Sequence, residues 1–247
     1  MSGHSRWSTI KHKKAAADSK RSKVWTKIIR ELTVAARSGG GDASGNPRLR
    51  TAVDKARAAN MPGDTVERAI KKGTGEGGDV QFEELVYEAY GPGGTAVYVD
   101  VLTDNKNRTA SEIRHVLERN GGKLAAAGSV AYLFKKQGVL TFEGGDEDRL
   151  TELGIELGAD DVRADGGVVT MTTEPGAFVG VKEALAKRGV VPSAGEVAMV
   201  PSTTVKLEGK DAAQMLRLLT ALEDHDDVQG VAANFDIDAE LLEQLTA

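Results

Sequence analysis

Cysteine is absent from the 247 residues. That removes disulfides, thiolate metal sites, iron–sulfur clusters and cysteine nucleophiles together. Aromatic residues make up only 4% of the chain, so a core must be built from Val, Leu, Ile and Ala. No run of 18 consecutive apolar residues occurs, and the N-terminus has no apolar h-region. A soluble, non-secreted protein is expected, with no membrane partner. Histidine occurs at four positions only, His4, His12, His115 and His225, with no metal spacing among them. His225 lies in Glu223-Asp224-His225-Asp226-Asp227, which lacks the spacing of a calcium loop and reads as a solvated helix-end loop. His115 reads as a surface residue. Gly73 to Gly78 has the G-x-G-x-x-G spacing, but a helix precedes it and an acidic stretch follows. No dinucleotide site is expected. Neither G-x-x-x-x-G-K-[ST] nor G-x-S-x-G occurs. No catalytic residue, metal or cofactor is predicted, and the chain is read as non-enzymatic.

What is present is a charge asymmetry. Residues 1–72 hold 17 Lys/Arg against 6 Asp/Glu, a net +11, while residues 73–247 hold 15 against 31, a net −16. Such a split suggests a basic arm for a polyanion and an acidic body that stays off it. The basic charge concentrates between His4 and Arg37, with ten cations and two acids. From Lys20 onward this stretch is amphipathic. At 100° per residue, Val24, Trp25, Ile28, Ile29, Leu32, Ala35 and Ala36 fall within about 40° to 180°, and Lys20, Lys23, Lys27, Arg30 and Arg37 within about 260° to 360°. One face can pack while the other presents a row of cations.

The N-terminal third reads as three helices: Ala15 to Arg37, ended by Gly39-Gly40-Gly41; Pro47 to Ala59, with Asn46 as N-cap; and a third opened by a capping box at Asp64–Glu67 and closed at Gly73. A glycine-rich linker, Gly73 to Asp79, follows. Strands are then expected over 85–90, 95–103 and 129–134, with a helix over 108–120. A βαββαβ succession of ferredoxin-like type spans 138–200, and a final β-α-β covers 203–235. The expected fold class is multi-domain, α and α+β: a three-helix domain, then two ferredoxin-like α+β domains. Half such a unit leaves a sheet edge unpaired, so nesting is preferred over two domains in series. The boundaries are 1–78; 79–135 plus 202–247; and 136–201 as the insertion.

Lys and Arg on one helical face can neutralise phosphates and release counterions. Trp7, between Arg6 and Lys11, can stack on a base, whereas Trp25 falls in the apolar arc and reads as core. The candidate nucleic-acid-binding residues are Arg6, Trp7, Lys11, Lys13, Lys14, Lys20, Arg21, Lys23, Lys27 and Arg30. Arg48, Arg50, Lys55 and Arg57 widen the basic surface or are plain solvated residues. A monomer is preferred over an oligomer.

The wording of the chain adds to this. Gly3-His4-Ser5-Arg6-Trp7, Ile10-Lys11-His12-Lys13-Lys14, Asn46-Pro47-Arg48-Leu49-Arg50, Ala56 to Pro62, Glu67 to Gly73, Tyr90-Gly91-Pro92-Gly93-Gly94, Asn107-Arg108-Thr109, Asn120-Gly121-Gly122 and Gly128-Ser129-Val130-Ala131 resemble the YebC/PmpR family. The resemblance is dense over the first 134 residues and one of layout beyond. It implies three domains and a cytoplasmic DNA-binding transcriptional regulator. Related proteins, including a mitochondrial branch, are translational activators linked to stalled ribosomes, so RNA, ribosomal RNA or the ribosome is the alternative partner. It supplies no catalytic residues.

Overall fold

The computed structural model describes residues 18–76 and 81–246. Three helices come first: α1 (Asp18–Gly39), α2 (Pro47–Ala58) and α3 (Gly63–Gly73). The apolar arc of α1 supplies Ile28, Leu32, Ala35 and Ala36 to a core shared with Leu49, Ala52, Ala56 and Ala69. Trp25 packs at its margin and donates its indole N–H to the Ala59 carbonyl at 3.0 Å. Val24, from the same arc, stays 43% exposed. Asn46 caps α2: its side-chain oxygen accepts the Leu49 amide at 3.1 Å, and its amide nitrogen donates to Ala35 at 2.7 Å. The capping box expected at Asp64 does not form. The N-cap position of α3 is Pro62, and Asp64 pairs with Arg68 instead. Gly73 closes α3 against α1, where a Cβ would press into the Thr33 carbonyl and lie 2.8 Å from Ala36. The glycine spacing that resembles a nucleotide motif is therefore a helix-packing feature at its first residue.

Two four-stranded antiparallel sheets follow. The first has the order β3-β1-β2-β9, from β1 (Glu83–Tyr90), β2 (Ala96–Thr103), β3 (Lys123–Leu124) and β9 (Val228–Ala233). Its inner face, including Ala89, Val97, Val99 and Val101, packs on α4 (Lys106–Arg119) and α7 (Gly209–Glu223). The second has the order β5-β6-β4-β7, from β4 (Phe134–Glu143), β5 (Asp161–Asp165), β6 (Val168–Thr173) and β7 (Ala194–Pro201). It is covered by α5 (Glu147–Leu157) and α6 (Phe178–Lys187). Phe134 and Met199, at the base of the β4–β7 pair, reach the outer face of the first sheet beside Ala96 and Ala232.

Three expectations are corrected. Residues 129–134 are not a strand. The third strand of the first sheet is the short β3, and Phe134 begins a single strand running to Glu143, so a boundary at 136 falls inside it. The reason is Glu88: its buried carboxylate accepts the amides of Gly128, Val130 and Ala131 at 2.5–2.8 Å, which removes them from strand pairing. Burial pushes this carboxyl up, but the three amides outweigh it and hold the group below the ordinary range. The strand expected over 203–207 shrinks to β8 (Val205–Lys206), parallel to β10 (Phe235–Asp236) and outside both sheets. A last helix, α8 (Ala239–Thr246), was not foreseen. No helix among the described residues is long and apolar enough to cross a membrane.

Candidate nucleic-acid interface

Of the ten candidate residues, Arg6, Trp7, Lys11, Lys13 and Lys14 lie outside the described residues, and so does the Lys20 side chain, although Lys20 belongs to the first turn of α1. Arg21 is exposed. The remaining three, Lys23, Lys27 and Arg30, follow one another along α1, as the helical spacing requires. They do not form an open face. All three point at the loop between α7 and β9.

Lys23 Nζ lies 3.6 Å from the Asp224 carboxylate. Lys27 Nζ donates to the Glu223 carbonyl. Arg30 donates to the Asp227 carboxylate, to the Asp226 carbonyl at 2.7 Å and to the Leu102 carbonyl at 3.3 Å. Its guanidinium also lies 5.8 Å from the Phe82 ring centroid. Beside this row, Arg48 on α2 bridges Glu31 of α1 at 2.8 Å and Glu84 on β1 at 2.7 Å. The acidic loop that the sequence suggests is solvated is thus the counter-surface of the basic helix. Sequence periodicity set the cations in a row but carried no signal of what faces them, because the partners are nearly 200 residues away.

Asp227 is the centre of this junction. Its side chain is 2% exposed. Besides Arg30, it accepts Thr109 Oγ1 at 2.5 Å, Arg108 at 2.8 Å and Thr103 Oγ1 at 3.2 Å. Burial alone would raise its pKa. The hydrogen bonds from Thr109, Arg108 and Arg30 outweigh that and hold it at about 2. His225 accepts the Asp227 amide at Nδ1, 3.1 Å away, which leaves its proton on Nε2 to donate to the Glu112 carboxylate at 2.9 Å. Glu112, His225 and Asp227 come close enough to share an ion, but both Asp227 oxygens are already taken by donors, which does not suit a metal ligand. His115 is exposed on α4.

Other cations differ in character. Arg50 donates to the carbonyls of Ala43 and Ser44. Arg57 stands 79% exposed, 3.7 Å from Asp54 on its own helix. Lys55 on α2 and Lys71 on α3 are exposed.

Comparison with known proteins places the chain. The TACO1/YebC protein N-terminal domain matches residues 5–76, and the TACO1/YebC second and third domain matches residues 82–235. A "Probable transcriptional regulatory protein" of Geotalea uraniireducens is 53% identical over 246 residues, covering 99% of this chain and 100% of its own. One from Treponema denticola is 53% identical over 239 residues, covering 96% and 97%. The crystal structure of a conserved hypothetical protein from Aquifex aeolicus superposes with a TM-score of 0.82 at 46% identity, over 91% of this chain and 94% of that one. Two family profiles that together take in both the basic helices and the sheets, and relatives matched nearly end to end, lead to one statement: the chain belongs to the TACO1/YebC family.

Proposed function

We propose that this protein is a non-enzymatic regulator of gene expression that binds nucleic acid through its N-terminal domain, in the cytoplasm. The observation that carries the reading is the charge segregation, net +11 over residues 1–72 against −16 over the rest. The names of the curated relatives support regulation of transcription, and with it DNA as the ligand. One observation favours the second reading, RNA or the ribosome. The cationic row of α1 lies against the body instead of standing clear as a helix that could enter a major groove. Contacts from the arm around Arg6, Trp7, Lys11, Lys13 and Lys14 would then be to phosphates and unstacked bases. The domain cut belongs to the same proposal. A helical domain, an α+β domain closed by β9, and an inserted ferredoxin-like unit of β4–β7 follow the sheet orders.

The test is a salt series. Combining Arg6→Ala, Lys11→Ala, Lys13→Ala and Lys14→Ala should flatten the slope of log K against log salt by about 3 units, at roughly 0.9 per phosphate on duplex DNA or 0.7 on single strands. Trp7→Ala should cost roughly 1–3 kcal/mol on looped RNA and much less on duplex DNA if bases stack there. A loss confined to RNA selects the translational reading. An unchanged slope on both ligands refutes the arm as a phosphate contact.

A further inference from the structure

We infer that the row Lys23, Lys27 and Arg30 is a second, covered polyanion surface, occupied in this structure by the protein's own 223–227 loop and exposed when nucleic acid displaces that loop. This rests on the nucleic-acid reading above and names a regulation of it. Glu223, Asp224, Asp226 and Asp227 put four carboxylates into five residues, a charge density comparable to a phosphate backbone.

Three features make the contact separable. The first is its composition. The apolar cluster of the helical domain is drawn from residues 25–70, and those of the body from residues 85–242; among the described residues none spans the junction. Among the described residues, the two are joined by ion pairs and hydrogen bonds from Lys23, Lys27, Arg30 and Arg48, with the Arg30 guanidinium resting over the Phe82 ring. Ionic contacts exchange for phosphate contacts at little net cost, whereas a shared apolar core would not.

The second is what undocking leaves behind. A buried carboxylate that loses its only partner is strongly penalised. Asp227 keeps Arg108, Thr109 and Thr103, all from the body, when Arg30 withdraws. Arg30 in turn moves to water or to a phosphate. The third is access and tether. Lys23 is 44% exposed at the rim, so a phosphate can begin displacement there before Lys27 and Arg30 are released. The glycine-rich Gly73–Asp79 segment joins the two halves.

The native chain has no cysteine, so a pair can be placed at will. Arg48→Cys with Glu84→Cys spans the junction and leaves Lys23, Lys27 and Arg30 in place. One sample is bridged with a short bismaleimide and another is capped with N-ethylmaleimide. Both are titrated with a short DNA duplex and an RNA hairpin across a salt series. The bridged form should bind at least about tenfold more weakly than the capped form, with a slope shallower by about 2 to 3 units. Lys23→Cys with Asp224→Cys provides a second comparison if the first pair fails to fold; with only Lys27 and Arg30 left in the row, its expected slope difference is about 1.5 to 2 units. Equal affinity and slope in bridged and capped protein overturn the inference and make the row a structural clamp. Absence of binding by the unmodified chain to both probes overturns the nucleic-acid reading itself, and this inference with it.

Discussion

Replacing Asp227 with Asn keeps the shape and one acceptor oxygen but removes the charge that four donors surround. The magnitude follows from the pKa. A carboxyl held at about 2 instead of its ordinary 3.8 favours the ionised native form by roughly 2.4 kcal/mol, at 1.36 kcal/mol per pKa unit. The native pKa is the depressed one, so the unfolded chain takes up the proton first as pH falls. The contribution is therefore complete above the unfolded pKa and is lost as pH falls through the native one. By the same relation about half remains at pH 3. Asp227→Asn should thus destabilise by roughly 2–3 kcal/mol at pH 7, less near pH 3. The other donors do not become orphans: Thr103 and Thr109 lie 2.8 Å apart and can pair, and Arg108 retains Asp104 at 2.9 Å. Both Trp residues lie in the N-terminal third, so unfolding of the body is followed by far-ultraviolet circular dichroism in urea. A difference between wild type and variant that stays constant from pH 7 to pH 3 refutes the charge-based account. So does one below about 0.5 kcal/mol at neutral pH.

Gly73→Ala should cost about 1–3 kcal/mol in the melting of the helical domain, because the added Cβ meets the Thr33 carbonyl and Ala36 on α1; tryptophan fluorescence of Trp25 reads it, and an unchanged midpoint would show that the helices part without strain. Glu88→Gln keeps one acceptor oxygen but turns the other into a donor, so it should leave the two sheets intact and free part of the set Gly128, Val130 and Ala131, and hydrogen exchange at one or two of those positions should accelerate well beyond that of β2. Retained protection there would mean that the loop does not depend on the carboxylate.

The elements that sequence made legible are those decided within a few residues. Asn46-Pro47 set the start of α2 because the cap and its amide are three residues apart. Gly166 and Gly167, both at positive φ, make the β5–β6 turn for an equally local reason. The failures are non-local. Residues 129–134 are a short apolar run that reads as a strand, but Glu88, some 40 residues earlier, claims the Val130 and Ala131 amides. Asp64 offered a cap and found Arg68 one turn away. The amphipathic pattern of α1 identified its core face, because any apolar partner satisfies that face. The destination of its polar face required a specific acceptor, and nothing in the pattern near Lys27 or Arg30 points to residues 223–227.

The paired ends of the second sheet have a consequence for how this family can change. Phe134 is the register partner of Pro201, and the Ser202 amide donates to the Leu133 carbonyl at 2.8 Å. The chain therefore departs and returns through neighbouring residues, and the segment between them closes no loop that the host sheet must order. Its length enters the host's folding free energy only through a logarithmic closure term, which paired ends have already met. On the proposed domain cut, the stretch between Phe134 and Met199, two residues that cover the outer face of the first sheet, can drift in size while β1, β2 and β9 keep their register. Variation among relatives is thus expected to concentrate beyond that seam, with the host strands and Asp227 held fixed by the packing they share.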